Sequence, residues 1–99
     1  MSDVIRLSRP DRGITHADFR RIFPRVVGDA VTLEGDLEAH VTWADGRSLA
    51  VRVSPEQFRR LARLKIPYVD IEFEFQGFSE DAVEVFMRRF EAAFQKGGG

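Results

Sequence analysis

The chain has no cysteine, which excludes disulfides, thiolate metal sites and cysteine nucleophiles together. It also has almost no net charge: 15 Lys+Arg against 16 Asp+Glu leave -1 at pH 7. A protein dedicated to wrapping nucleic acid or another polyanion carries a basic excess, so the balance argues against one. No apolar run approaches the ~20 residues needed to span a bilayer. Met1 to Arg6 shows none of the basic-then-apolar layout of a signal peptide. The expectation is a cytoplasmic protein with no membrane segment, cofactor or metal.

What is present reads as globular. Hydrophobic residues make up 43% of the 99 and charged residues 31%, too apolar and too evenly charged for a disordered chain. That length leaves room for one domain, over residues 1–96, followed by a flexible glycine tail at 97–99. The tail ends in diglycine, but a helix rather than a strand is expected before it, unlike a ubiquitin-type conjugation tail.

Three helix starts are signalled by caps. Thr15 precedes Asp18, Ser54 precedes Pro55 and Gln57, and Ser79 precedes Glu80 and Asp81. Each cap is flanked by a hydrophobic-staple pair: Ile14 with Phe19, Val53 with Phe58, and Phe78 with Val83. Apolar stripes follow at helical spacing: Phe19, Ile22, Phe23, Val26; Phe58, Leu61, Ala62; and Val83, Phe86, Met87, Phe90, Phe94. Pro24 predicts an end or kink near Phe23, and Pro67 a stop for the second helix.

Strands are expected at 3–8 and 30–34, and two more read by alternation. Leu37, Ala39, Val41 and Trp43 share one face, as do Leu49, Val51 and Val53. A three-residue loop, Ala44-Asp45-Gly46 with Gly46 left-handed, pairs Val41 with Leu49, Ala39 with Val51 and Glu38 with Arg52. A two-residue loop would send the apolar sets to opposite faces, so the first register is expected. The last strand places Val69, Ile71, Phe73 and Phe75 inward and Tyr68, Asp70, Glu72, Glu74 and Gln76 outward. The resulting order, β-α-β-β-β-α-β-α, predicts an α+β fold. It is a two-layer α/β sandwich of ferredoxin-like order with one solvent-exposed sheet face.

Candidate functional residues fall in three groups. Asp70, Glu72 and Glu74 form a carboxylate row on the wet face, with Arg52 near. Side chains two residues apart on a strand do not converge on one ion, and no calcium-loop spacing is present. His40, on the same face beside Glu38, is the best candidate for a general base, but no nucleophile, orienting group or oxyanion hole accompanies it. No residue is therefore assigned to catalysis. Arg59, Arg60 and Arg63 line the second predicted helix, and Arg20, Arg21 and Arg25 the first. That helix opens on Glu56, however, and an anionic first turn repels phosphate.

These readings predict a non-enzymatic protein-interaction or regulatory module, self-associating as a homodimer or docked to a protein partner. An enzyme or ligand-binding protein with its site at a dimer interface is the first alternative. Nucleic-acid binding through basic helices is the second, and the charge balance disfavours it. Charge is uneven along the chain: bases exceed acids in 15–27 and 55–66, and acids exceed bases in 29–53 and 67–76. The expectation is a basic helical layer behind an acidic sheet face.

Overall fold

Alternation of apolar and polar side chains from Tyr68 to Gln76 anchors one strand, β6, which runs over the thirteen residues Leu64–Gln76. Everything else is arranged around it. The structure, a computed structural model, describes residues 4–28, 31–34 and 37–97. It is α+β, with β1 (Val4–Arg12), α1 (His16–Val27), β2 (Val31–Glu34), β3 (Glu38–Thr42), β4 (Ser48–Val53), β5 (Gln57–Leu61), β6 and α2 (Glu80–Gly97). All pairings are antiparallel, in the order β1-β6-β4-β3-β2, and β5 pairs with the N-terminal part of β6.

Two of the three expected helix starts are formed. Thr15 closes a full capping box: its Oγ1 accepts from the Asp18 N–H and its own N–H donates to Asp18 Oδ2, each at 3.1 Å. Ser79 Oγ accepts from the Ala82 N–H at 3.1 Å. The staples are in place, with Ile14, Phe19, Phe78 and Val83 all buried. Pro24 does not end α1, which runs on to Val27, where the Gly28 N–H donates to the Pro24 carbonyl. A proline within a helix forfeits one ladder bond, and burial of Phe19, Ile22 and Phe23 on one stripe holds this helix through it.

The expected register between β3 and β4 is present: Val41↔Leu49, Ala39↔Val51, Glu38↔Arg52. Gly46 takes φ +95° in the turn, and the Trp43 N–H donates to the Arg47 carbonyl across it. Strand β1 runs past Ser8 to Arg12, and Asp3, Ala30 and most of the glycine tail lie outside the described residues. Gly97 is the last residue of α2.

The second predicted helix does not exist. Residues 57–68 form a hairpin in which Gln57 pairs with Tyr68 and Leu61 with Leu64 around a two-residue turn, Ala62-Arg63. The order is therefore β-α-β-β-β-β-β-α. A ferredoxin-like order needs a helix between β4 and the final strand, and none is there. The cap residues are spent on tertiary contacts instead. Ser54 donates its N–H to the Asp70 carbonyl and accepts the Asp70 N–H on Oγ, both at 2.9 Å. Glu56 accepts from the His16 N–H at 3.0 Å, and His16 Nε2 lies 2.8 Å from the Ser54 carbonyl. His16 is thus a strut between α1 and the β4–β5 junction rather than an exposed first-turn residue.

One face of the sheet supplies Ala39, Val41, Leu49, Val51, Val53, Val69, Ile71, Phe73 and Phe75 to the core. Both helices meet it there, α1 through Phe19, Ile22 and Phe23 and α2 through Val83, Phe86, Met87, Phe90 and Phe94. Phe90 sits edge-on to Phe73 at 4.9 Å and stacks on Phe94 at 4.3 Å. The alternate residues of the same strands, Glu38, His40, Arg52, Asp70, Glu72 and Glu74, are half-buried or exposed. The sheet therefore has an apolar face under helices and a polar face without a described cover.

Candidate interaction surface

Beyond Val69, β6 has lost β1, and beyond Ser54 the β4 ladder gives way to β5. The rest of β6 and β5 therefore leave the sheet as a two-stranded arm, and the molecule measures 50 × 23 × 23 Å. Phe58, Leu61 and Leu64 are 50%, 62% and 63% exposed on this arm. In the helix reading Phe58 and Leu61 belonged to a buried stripe; here the arm has no core to reach. Exposed apolar side chains side by side, as Leu61 and Leu64 are across the turn, mark a contact surface more often than scattered ones.

Pairing fixes the two faces of the arm. Leu61, Leu64 and Ile66 fall on the face that continues the polar side of the sheet, with Arg59 and Tyr68; Phe58, Arg60, Lys65 and Pro67 fall on the other. Leu61 and Leu64 flank a two-residue turn and so form its closing hydrogen-bonded pair. Pro67, three residues further, then has its nitrogen directed away from β5. A proline on the outward side of an edge blunts it against another strand. The arm is thus closed to strand addition along that part of β6 and open on its faces.

The base of the arm is tied down by polar contacts. Asp70 Oδ1 accepts from the Asp11 N–H at 2.9 Å and Oδ2 from Gln57 Nε2 at 3.4 Å; the Tyr68 hydroxyl donates to Gln57 Oε1 at 3.2 Å. Arg59 pairs with Asp11 at 3.2 Å and lies over the Tyr68 ring at 4.7 Å. Lys65 lies over the Phe58 ring at 4.3 Å.

The sequence-predicted residues are therefore only partly brought together. Asp70, Glu72 and Glu74 do share one strand face, but Asp70 is a peg for the arm, and Arg6 reaches Glu74 at 3.3 Å. Register sets Arg52 between Glu38 on β3 and Glu72 on β6. His40 Nε2 is 3.5 Å from Glu38 Oε2, and both side chains are nearly half exposed. Among the described residues no three His, Asp or Glu side chains converge to hold a metal ion. Arg59 and Arg60 lie on β5 and Arg63 in its turn, where a helix was expected to carry them. Phe58, Leu61 and Leu64 were missed as surface residues. The alternation Leu64, Ile66, Tyr68, in phase with Asp70 and Glu72, was the available signal. No helix among the described residues is long and apolar enough to cross a membrane. No protein-family model, curated protein or solved structure matches the chain.

Proposed function

We propose that this chain is a non-enzymatic protein-interaction module that self-associates as a homodimer, the β5–β6 arm of each copy lying against the sheet of the other. The observation that carries this reading is the exposure of Phe58, Leu61 and Leu64 on an element with no core of its own. Charge supports the choice of a second copy. Arg59 lies on the arm face that carries Leu61 and Leu64, with Arg63 in the turn, and on the polar sheet face Glu38, Asp70, Glu72 and Glu74 outnumber Arg6 and Arg52. Oppositely charged patches steer association and fix its orientation. In this reading the helices form one layer, the sheet a second, and the polar face is the docking floor.

The test is solution mass as a function of concentration and salt for the protein and its Leu61→Ser/Leu64→Ser double variant. Full burial of a leucine contributes about 1.5–3 kcal/mol, so covering the exposed 62% and 63% of these two contributes at least about 1.9 kcal/mol, and its loss from one arm weakens association at least ~20-fold. The expected result is a dimer that salt weakens and the double variant abolishes, with unchanged circular dichroism. A monomer at every concentration, or a double variant that associates equally well, overturns it. Salt-sensitive retention of monomeric protein on duplex DNA would assign the arm to phosphate instead.

A further inference from the structure

We propose that the cleft between the end of β1 and the C-terminal half of α2 binds a small amphipathic carboxylate, its chain against the core and its head on Arg12. The cleft has a volume of about 480 Å³, within the ~300–1,000 Å³ range of small-molecule sites. Ile14, Ile71, Phe90 and Phe94 give it an apolar floor, and Arg12, Glu91 and Gln95 supply polar groups.

Three observations select an anion. The register of β1 against β6 slips between Arg9, opposite Ile71, and Arg12, opposite Val69. Residues three apart on a regular strand point to opposite faces; the bulge returns Arg12 to the face of Arg9. Asp11 takes φ +57° within it, a left-handed conformation that a residue with a Cβ adopts only at a cost. Both guanidinium groups then meet one carboxylate: Arg9 Nε lies 3.4 Å from Glu91 Oε2, and Arg12 Nη2 is hydrogen-bonded to the same oxygen. Two cations on one anion leave a positive charge at the cleft. Finally, Arg12 Nε is buried and has no hydrogen-bond partner. That nitrogen is closed to a ligand as well, but the Arg12 side chain as a whole is 37% exposed and lines the cleft, so its outer N–H groups can donate charge-assisted bonds to a ligand carboxylate.

None of the residues lining the cleft is on the arm, so its test is separate from that of the dimer. Octanoate and octan-1-ol, which share a chain and differ in charge, are titrated into the isotope-labelled full-length protein while amide shifts are followed by NMR. Octanoate should shift Gly13, Ile14 and Gln95 saturably, and octan-1-ol should bind about ten-fold more weakly or worse. Arg12→Gln should weaken octanoate about ten-fold and leave octan-1-ol nearly unchanged. Gln95→Glu places an anion at the exposed rim and should also weaken octanoate, which keeps the test decisive if Arg12→Gln does not fold. No shift up to the solubility limit, equal binding of acid and alcohol, or shifts centred on Leu61 and Leu64 would each overturn the proposal.

Discussion

Replacing Phe58 by alanine separates the hairpin from the helix that residues 54–66 otherwise suggest. In the hairpin, half of the Phe58 surface is already in water. Burying a phenylalanine fully is worth about 1.5–3 kcal/mol, so the covered half contributes about 0.8–1.5 kcal/mol. Loss of the Lys65 ammonium over the ring adds roughly 0.5–1 kcal/mol. No cavity is left, because the site opens to solvent. The expected cost is therefore about 1.3–2.5 kcal/mol. Phe23 is the matched control: it is 0% exposed, and truncating it leaves a void in the core at about 3–5 kcal/mol. Were residues 54–66 helical, Phe58 would be the buried half of a staple and would cost as much as Phe23. Urea unfolding read by the fluorescence of Trp43, the single tryptophan, measures both, at low micromolar protein so that association does not contribute. Equal costs for Phe58→Ala and Phe23→Ala would refute the hairpin.

Four further substitutions test the local geometry. The Thr15 backbone N–H, chiefly, and then Arg21 hold the Asp18 carboxyl below its ordinary 3.8. A carboxylate so lowered stabilises the fold above its unfolded-state pKa and ceases to as pH falls through the lower folded value. Thr15→Ala should cost about 1 kcal/mol near neutrality, and the difference between Asp18→Asn and the unaltered chain should shrink as pH falls below about 4; a gap that widens toward acid would contradict this. Left-handed torsions give opposite signs at two sites. Gly77, at φ +78° beneath Arg47, should lose about 1–2 kcal/mol on replacement by alanine, read as a lower urea midpoint. Ala62, at φ +56° in the arm turn, should gain about 0.5 kcal/mol as glycine once unfolded-state entropy is deducted, read as slower hydrogen exchange at Leu61 and Leu64.

Where local signals and core demand agreed, the fold was legible. Thr15 with Asp18 and Ser79 with Ala82 cap helices whose stripes find the sheet, and the β3–β4 register follows from which face must be buried. Ser54-Pro55-Glu56-Gln57 is as good a cap sequence as either, yet Asp70, His16 and Tyr68 compete for its polar atoms and win. Those partners are 11 to 40 residues away, so no local pattern contains them. The cap says only that a helix is affordable there; burial decides whether one forms. Phe58, Leu61 and Ala62 give a stripe too sparse to reward a third helix, while Leu64, Ile66 and Tyr68 stay in register with the outward residues of β6. The cleft at Arg12 was illegible for the same reason, since a bulge at Pro10 and Asp11 and a helix seventy-nine residues on must meet to make it.

Relocating the second basic cluster changes what the charge pattern can do. A basic helical layer behind an acidic sheet would polarise the domain across its thickness and favour stacking of one copy on the next. In the structure both signs lie along one face: Arg59, with Arg63 in the turn, at the arm, then Asp70, Glu72 and Glu74 toward the other end of β6. Two such faces are complementary when they run antiparallel, each arm over the other's acidic end. That arrangement is two-fold, and a two-fold contact satisfies both copies at once and stops at two. Stacking through opposite faces has no such closure and would continue into a filament. Charge placed along one face rather than across a domain therefore predicts a closed dimer, and its mass should reach a plateau at two copies as concentration rises.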